Sequence, residues 1–381
     1  MYKLSVVIPT KNRYFYCKKA IEQVIKNTSS NTQIVIQDNS DDESIISSFC
    51  KNLGIDRIKY NYIQGVISFV DNFSYAIEIC DGEYVCMIGD DDGVLCNIES
   101  VVKIMENEKL DAVIPAINVV YIWPSSNPFN KKFKDGYLRI GPFNKKSHFC
   151  NAQKALSKLL KNGFQDYLST EVPRLYHGMV KKEKLNEVKS ITNKYFGGLT
   201  PDMYMAVALS LVCQKVKYLN YPFTISGICP ESGSANSASG AHTGKLIDAP
   251  HFKGHDYYEW YNLIPEFYSV ETIWAETGIK ALIDMNKSDL IKEINFEYLF
   301  SILIDKYPQF YKEIDEKVKA LSINYKALSR ITVKRKNSQV FSKIIRMITF
   351  NRIRSNKIYG IDDLEKVEKT VYKKFKKEKL L

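Results

Sequence analysis

The sequence predicts an α/β fold built on a mixed, mostly parallel β-sheet that is flanked by helices. Short, continuous apolar stretches at 3–9, 33–38 and 83–89 indicate strands that are buried on both faces. The segments between them repeat apolar residues at helical spacing, which is typical of helices that cover such a sheet. Strands connected in this way run parallel, and ligands bind at the edge where their carboxyl ends meet.

The order of the early elements follows from these patterns. An apolar stripe from Cys17 to Ile25 predicts a helix that ends near Asn27. The stretch 55–63 predicts a third strand, and a stripe from Phe69 to Cys80 predicts a second helix that stops near Gly82. A further helix is expected at about 97–107.

The later chain is less regular, and we divide it into three parts. Residues 1–230 are predicted to form the main α/β domain, 231–330 a Ser/Gly loop with a helical region, and 331–381 a basic amphipathic tail, with a mainly helical C-terminal region overall. The patterns behind this division are an apolar stretch at 111–123, a polar excursion at 124–150, a strand leading into a helix at 172–185, a helix at 200–213 and a Ser/Gly/Ala-rich loop at 226–245.

Composition excludes several classes of protein. The chain has 381 residues, 45% of them hydrophobic and 25% charged, as in ordinary globular proteins. Its eight cysteines form no CxxC pair, which argues against a zinc site and against a secreted disulfide framework. The first apolar run is too short for a signal peptide, and no run of about 18 apolar residues occurs. We therefore expect a cytoplasmic protein.

The positive charge is concentrated in the tail. The net charge is +11, and residues 331–381 hold 15 basic and 5 acidic residues. An apolar stripe from Val340 to Ile348 lies beside basic residues, a pattern that suits an anionic membrane surface through residues 340–379. The alternative is a helix packed on the body of the protein. Nucleic acid is not an expected partner, because the tail has few aromatic residues.

Three consecutive carboxylates, Asp90, Asp91 and Asp92, follow the third apolar stretch. Hard oxygen ligands in this position favour a divalent cation, Mn²⁺ or Mg²⁺, whose other ligands are water and phosphate oxygens. The alternative is a helix N-cap, which accounts for one or two aspartates but not for three. Asp38 follows the second stretch and is expected at the same sheet edge, although an Asx turn also explains it.

Three segments together resemble the family 2 glycosyltransferases of the GT-A fold: "SVVIPTKNR", "IVIQDNSDD" and "NFSYAIEICDGEYVCMIGDDD". They span roughly residues 3–100 in the order and spacing of that family. The resemblance implies a nucleotide-sugar donor at the sheet edge, a divalent cation on its diphosphate, and inversion at the anomeric carbon.

The resemblance also implies roles for individual residues. Asp91 matches the metal-binding aspartate of the DxD pattern, with Asp90 beside the ribose and diphosphate. The first aspartate of that pattern is replaced by Gly89, so Asp90 or Asp92 is expected to assist as a metal ligand. The positions that match the family's nucleotide-binding residues are Pro9, Thr10, Asn12, Arg13, Asp38 and Asn72.

An inverting transfer needs a base that removes the proton of the acceptor hydroxyl. In the family this is a carboxylate about a hundred residues beyond the metal motif, at a helix start, and Asp202 fits that position. Its alternative role is favourable interaction with the helix dipole. Glu171 is the second candidate for the base.

The histidines and the Ser/Gly loop leave further alternatives open. Some GT-A enzymes take a metal ligand from a C-terminal segment, so His242, His251 or His255 could serve, but no ligand spacing selects one. His177 could be structural or line the acceptor cleft. The loop at 230–245 is either a lid over the substrates or a surface loop.

The predicted function is metal-dependent, inverting sugar transfer to a glycan or lipid-linked glycan hydroxyl, with a UDP-sugar as the favoured donor. The expected setting is capsule or O-antigen synthesis in the cytoplasm, peripheral to the inner face of the cytoplasmic membrane. The alternatives are a sugar-phosphate transferase and a non-catalytic nucleotide- or sugar-binding protein.

Overall fold

The computed structural model describes residues 2–125, 136–232, 243–255, 257–350 and 356–378. The strands, in chain order, are β1 Leu4–Thr10, β2 Thr32–Asp38, β3 Ile58–Tyr62, β4 Tyr84–Met87, β5 Gly93–Val94, β6 Ala112–Pro115, β7 Val119–Ile122, β8 Tyr137–Ile140, β9 Ser147–Cys150, β10 Met179–Lys181, β11 Val216–Leu219, β12 Thr224–Ile228 and β13 Asn356–Tyr359. The helices are α1 Tyr14–Asn27, α2 Ser44–Leu53, α3 Phe69–Glu78, α4 Ile98–Glu108, α5 Ala152–Lys161, α6 Lys182–Thr192, α7 Pro201–Val212, α8 Val270–Asp284, α9 Phe296–Lys306, α10 Tyr311–Ala320, α11 Tyr325–Phe350 and α12 Leu364–Lys377.

The main sheet has the strand order β3-β2-β1-β4-β10-β6-β11-β9. Strands β1 to β4 are mutually parallel where they pair, β11 is parallel to β6, and only β10 and β9 run antiparallel to their neighbours. Every residue of β1 and β2 is buried, because helices cover both faces of the sheet. The predicted α/β class, with its mixed, mostly parallel sheet and mainly helical C-terminal region, is confirmed.

The register of the parallel strands creates one polar edge. Thr10 and Asp38, the last residues of β1 and β2, are paired directly. Strand β4 lies on the other side of β1, and the segment Gly89–Asp92 follows it at the same edge. The residues that follow or end these three strands therefore meet at the carboxyl edge of the sheet.

A second sheet, which the sequence did not predict, lies next to this edge. Its order is β13-β8-β7-β12-β5, and strand β5 begins directly after Asp92. Strand β12 pairs with both β5 and β7, so it crosses beside the triple aspartate. The second sheet therefore supports the polar edge from one side.

Helix α12 packs against the second sheet. Phe375 meets Phe143 edge-to-face at 5.2 Å, Lys374 Nζ donates to the Gly141 carbonyl at 2.7 Å, and Glu365 pairs with Lys26 of α1 at 3.0 Å. The helix joins an apolar cluster made up of Leu95, Val119, Tyr121, Trp123, Leu138, Ile140, Phe143, Ile225, Cys229, Ile361, Leu364, Val367, Val371 and Phe375. Residues 364–377 are therefore packed on the body of the protein. In the sequence analysis this packing was the alternative to membrane binding by the tail.

The structure describes fewer side chains in the part of the tail that precedes α12. Helix α11 begins at Tyr325, before the predicted start of the tail. The predicted apolar stripe at Val340–Ile348 and the basic residues Arg352 and Arg354 lie outside the part whose side chains the structure describes. In the described part of the chain, no helix has both the length and the apolar character needed to cross a membrane. The division into three domains remains a prediction.

Candidate active site

Asp90 is held by the loop that follows β1. Its Oδ2 accepts hydrogen bonds from Thr10 Oγ1 at 2.7 Å and from Arg13 Nε at 3.2 Å, and its Oδ1 lies 2.5 Å from Arg13 Nη2. The carboxylate is completely buried. Burial raises the pKa of Asp90, whereas the two-point contact with the guanidinium opposes this change. Asp90 and Arg13 thus form a buried ion pair at the polar edge.

Asp92 has its hydrogen-bonding capacity filled by the protein. Its Oδ2 accepts from the Gly89 N–H at 2.6 Å and the Tyr176 hydroxyl at 2.7 Å, and it lies 3.3 Å from His177 Nε2. Its Oδ1 accepts from the Gly227 N–H at 2.7 Å. Asp92 therefore joins the end of β4, strand β12 and the segment before β10.

Asp91 is the member of the triplet with a free oxygen. Its Oδ2 accepts from the Cys229 N–H at 3.0 Å, and its carbonyl accepts from Trp123 Nε1 at 2.7 Å. Its Oδ1 accepts no hydrogen bond from the described residues and lies 3.5 Å from Arg13 Nη1. Burial, with the Asp92 charge next, raises the pKa of Asp91 to about 7. A cation at Oδ1 would stabilise the ionised form.

Two glycines allow this packing. A Cβ on Gly227 would lie 1.7 Å from the Asp91 carbonyl oxygen, so only glycine lets β12 approach so closely. A Cβ on Gly89 would lie 2.6 Å from the Tyr176 hydroxyl. The departure from the DxD pattern at Gly89 thus has a physical reason, because Tyr176 occupies the space of that side chain and binds Asp92.

The helix-cap interpretation of the three aspartates is wrong. Helix α4 begins at Ile98 after Asn97, which makes no side-chain cap hydrogen bond. Strand β5 separates Asp92 from this helix. The three carboxylates instead contact Arg13, Tyr176 and the backbone of β12.

Hydrogen bonds join the loops after β1 and β2 at the polar edge. The Asn12 N–H donates to Ser40 Oγ at 2.8 Å, and its side chain exchanges two hydrogen bonds with Asp41, at 2.8 and 3.0 Å. Asn12 has a φ of +60°, a left-handed conformation that asparagine tolerates. These contacts hold the loop that carries Thr10 and Arg13 against the loop that carries Asp38.

Asp38 and Asn72 are both buried beside strands β1 and β2. Asp38 accepts the Ser40 N–H at 2.8 Å, the expected Asx turn, and also the Tyr60 hydroxyl at 3.0 Å. Asn72 lies on α3, and its Oδ1 has no partner among the described residues. A buried carbonyl oxygen without a donor is costly, which makes it a candidate for ligand binding. Pro9 is buried within β1 and paired with β2.

Asp202 lies in the first turn of α7, as predicted. Its Oδ2 accepts from the Tyr167 hydroxyl at 2.8 Å and its Oδ1 from the Met203 N–H at 2.9 Å. Burial raises the pKa of Asp202, whereas the Tyr167 hydrogen bond favours the ionised form. A carboxylate with a raised pKa suits a general base, since its basicity moves towards neutral pH.

One segment links Asp202 to the triple aspartate. Residues 167–177 begin with Tyr167, which contacts Asp202, and end with Tyr176 and His177, which contact Asp92. Arg174 in the same segment is buried, and its Nη2 donates to the Pro115 carbonyl at 3.2 Å. Its Nε and Nη1 have no partner in the described part of the chain, and burial lowers the pKa of Arg174.

Sequence reasoning missed Tyr167, Arg174 and Tyr176. The only available signal was the position of "RLYHG" within the strand that was predicted to lead into a helix at 172–185, and that signal does not reveal which neighbours these side chains meet. Glu171, the second candidate base, contacts His148 at 2.9 Å.

The histidines have the following positions. His177 Nδ1 lies 3.0 Å from Thr224 Oγ1, and burial lowers the pKa of His177. His251 contacts Tyr268 and packs on Phe69 at the start of α3. His255 packs on Tyr258, and burial lowers its pKa. His242 and most of the predicted loop at 230–245 lie outside the described residues.

Comparison with known proteins identifies the N-terminal part of the chain. Residues 5–161 match the profile of Glycosyl transferase family 2. This part of the chain, about two fifths of its length, is similar to family 2 glycosyltransferases. The match confirms the resemblance to that family which the three motifs predicted.

Two curated relatives are also named as glycosyltransferases. The chain is 32% identical over 115 residues to GalNAc(5)-diNAcBac-PP-undecaprenol beta-1,3-glucosyltransferase of Campylobacter jejuni. The aligned region covers 28% of this chain and 36% of that protein. The chain is 24% identical over 199 residues to glycosyltransferase GlyG of Streptococcus pneumoniae. This aligned region covers 51% of this chain and 61% of that protein. The chain thus spans between about a third and three-fifths of these relatives.

Solved structures of the S. aureus protein TarS are similar at a lower level. TarS 1–349 in complex with UDP-GlcNAc gives a TM-score of 0.45 at 12% identity, over 97% of this chain and 92% of that chain. TarS 1–349 without a named ligand gives a TM-score of 0.42 at 15% identity, over 84% of this chain and 83% of that chain.

Proposed function

We propose that this chain is a family 2 glycosyltransferase that transfers a sugar, with inversion, from a nucleotide-sugar donor to a glycan or lipid-linked glycan hydroxyl. The observation that carries the proposal is Asp91 Oδ1, which accepts no hydrogen bond from the described residues. It lies at the carboxyl edge of the sheet, 3.5 Å from Arg13 Nη1 and beside the Asp90–Arg13 ion pair. A carboxylate oxygen that no N–H or O–H group of the protein saturates is suited to an external cation.

The residues present fit a divalent cation, Mn²⁺ or Mg²⁺. Asp91 would hold it through Oδ1, while Asp90 and Asp92, whose oxygens accept protein hydrogen bonds, fix the shape of the site and complement its charge. When bound, the cation stabilises the negative charge that develops on the departing nucleoside diphosphate. The protein atoms hold the leaving group in place and keep water away from it.

Asp202 takes the role of base in this proposal. An acceptor hydroxyl attacks the anomeric carbon from the face opposite the leaving group, and its proton passes to a carboxylate oxygen of Asp202. Tyr167 holds that carboxylate in position through Oδ2. Asp38 and Asn72 are proposed to bind the nucleotide, because each offers a buried oxygen beside the first two strands.

Substrates are proposed from the family and its relatives. A UDP-sugar is the favoured donor. The name of the C. jejuni relative describes transfer to an undecaprenol-linked glycan, so we extend that acceptor class, and a role in capsule or O-antigen synthesis, to this chain. Such acceptors would require an anionic membrane surface, for which the lysine-rich outer face of α12 remains accessible while its apolar face is packed.

A thermal-shift screen tests the proposal. Wild-type protein is measured with UDP, GDP, CDP and TDP, each with and without Mn²⁺, and a single nucleotide should stabilise it only when the metal is present. Ligand at about 100 times its dissociation constant adds roughly 2.7 kcal/mol, a shift of a few degrees.

The variant Asp91→Asn should lose this stabilisation, whereas Asp56→Asn, the same change at an exposed site, should keep it. Release of the free nucleotide from the matching sugar donor then separates an enzyme from a non-catalytic binder. Absence of any metal-dependent shift in wild type would contradict the proposal.

A further inference from the structure

A second group of ligand atoms lies at the far edge of the main sheet, on strand β9. His148 and Cys150 belong to this strand, and Glu171 belongs to the segment 167–177 that also contains Arg174. One ligand atom from each of the three lies within 4.8 Å of the other two. His148 Nε2 is 2.9 Å from Glu171 Oε1, and Cys150 Sγ is 3.4 Å from Glu171 Oε2.

The backbone places these three side chains in a defined arrangement. His148 and Cys150 are two residues apart on one strand and therefore point to the same face. Strand β9 is paired with β11, and the ring of Tyr218 stacks on His148 at 5.2 Å. Glu171 lies between Thr170, whose hydroxyl donates to the Tyr167 carbonyl at 2.7 Å, and Val172, which is fully buried.

The chemistry of the donor atoms differs from that of the aspartate triplet. An imidazole nitrogen, a thiolate sulfur and a carboxylate oxygen are each ligand types that bind zinc, and three protein ligands leave a fourth position for water. Mn²⁺ and Mg²⁺ favour oxygen ligands alone. Ligand atoms around one zinc ion lie about 3 to 4 Å apart, so small side-chain rotations are sufficient here. The cysteine spacing gave no zinc motif, because the ligands come from separate parts of the chain.

We propose that His148, Cys150 and Glu171 form a zinc-binding site that fastens segment 167–177 to strand β9. That segment carries Tyr167, which contacts Asp202, and Tyr176, which contacts Asp92. Zinc at Glu171 would hold the backbone between these two contacts. Without a metal ion, the contact between the half-exposed side chains of His148 and Glu171 contributes little to stability.

The test is a titration of the full-length, metal-free protein with Co²⁺, followed by competition with Zn²⁺. Cobalt bound to a thiolate gives a near-ultraviolet charge-transfer band, whereas cobalt on carboxylates does not. We expect the band to saturate at one equivalent of Co²⁺ and to disappear when Zn²⁺ is added. The charge-transfer band requires neither turnover nor a nucleotide, so this measurement is independent of the proposed transferase activity.

Matched variants assign the ligands. Cys150→Ser should lose the band, whereas Cys96→Ser, at a partly buried thiol on another element, should keep it. His148→Gln and Glu171→Gln change half-exposed side chains and should each weaken Co²⁺ binding at least about tenfold, with unchanged thermal unfolding of the metal-free protein.

Any of three results would overturn the proposed site. The first is wild-type protein that develops no charge-transfer band at saturating Co²⁺, and the second is a band that survives in Cys150→Ser. The third is a Co²⁺ affinity that stays at the wild-type value in His148→Gln and Glu171→Gln. Slower hydrogen exchange of residues 167–177 when Zn²⁺ is bound would support the fastening role, and unchanged exchange would refute it.

Discussion

Two sides of the polar edge are built differently: the one proposed to bind the nucleotide, called the nucleotide side, and the one proposed to bind the acceptor, called the acceptor side. On the nucleotide side, Asp90 and Asp92 accept hydrogen bonds from loops, backbone N–H groups and the second sheet. On the acceptor side, Asp202 accepts one side-chain and one backbone hydrogen bond, and two nitrogens of Arg174 have no partner among the described residues. The nucleotide side thus fixes two of its carboxylates and leaves acceptor oxygens of Asp91 and Asn72 without a hydrogen-bond donor, whereas the acceptor side leaves donor nitrogens without an acceptor.

This difference matches what the two sides must recognise. A nucleoside diphosphate and its cation are common to many transferases, so a rigid arrangement of carboxylates and donors serves them all. The acceptor differs from one enzyme to the next, and its polar groups can supply the partners that the protein omits. The following experiments test this contrast in order of decreasing effect.

The largest effect is expected from Asp202→Asn, which removes the base but keeps the size of the side chain. General base catalysis contributes about 10² to 10⁴ in rate, so kcat should fall by about three orders of magnitude. The Mn²⁺-dependent thermal shift with nucleotide should be unchanged, because the nucleotide side remains intact. Near-normal kcat in this variant would mean that the base lies elsewhere.

The second expectation is a pH dependence of donor binding on the nucleotide side. The pKa of Asp91 is raised to about 7, so in metal-free protein this group contributes stability at low pH that is lost as the pH rises through 7. A bound cation requires the ionised form. Affinity for the nucleotide sugar with Mn²⁺ should therefore be about tenfold lower at pH 6 than on the plateau above pH 8.

Calorimetry with the intact nucleotide sugar measures this dependence, since its diphosphate diester does not titrate in that range. Affinity that stays constant between pH 6 and pH 8 would show that Asp91 is not the group to which the cation binds.

A smaller effect is expected from Asn72→Leu. The Asn72 Oδ1 has no protein donor, so the variant should be as stable as wild type or more stable. If the nucleotide donates to this oxygen, losing one hydrogen bond of about 1 kcal/mol weakens donor binding about fivefold. Reduced stability with unchanged donor affinity would give Asn72 a structural role instead.

The smallest change in rate is expected from Tyr167→Phe, which acts through Asp202. The Tyr167 hydroxyl stabilises the ionised carboxylate, so its removal leaves burial unopposed and raises the pKa of Asp202 further. The acid limb of the kcat–pH profile should move upward by about one unit, with little change in kcat at high pH. A uniform loss of kcat at every pH would indicate a general packing defect.

The sequence predicts the nucleotide side better than the acceptor side. The strand ends that carry Thr10, Asp38 and Asp90 follow from local apolar patterns, because parallel strands bring their carboxyl ends together. Tyr176 could not be assigned, since its contact with Asp92 depends on an irregular turn in which His177 has a φ of +59°. The close approach at Gly227 depends on a second sheet whose strands are too short to read from periodicity.

The packing of α12 has a consequence for how the protein is made. Trp123 and Cys229, which both bind Asp91, belong to the same apolar cluster as Leu364, Val371 and Phe375. A chain emerging from the ribosome completes all three aspartates long before residues 364–377 exist, and an uncovered apolar surface persists until then. Loss of this short helix by a late frameshift or by proteolysis would therefore leave every sequence motif intact while removing the support beneath Asp91.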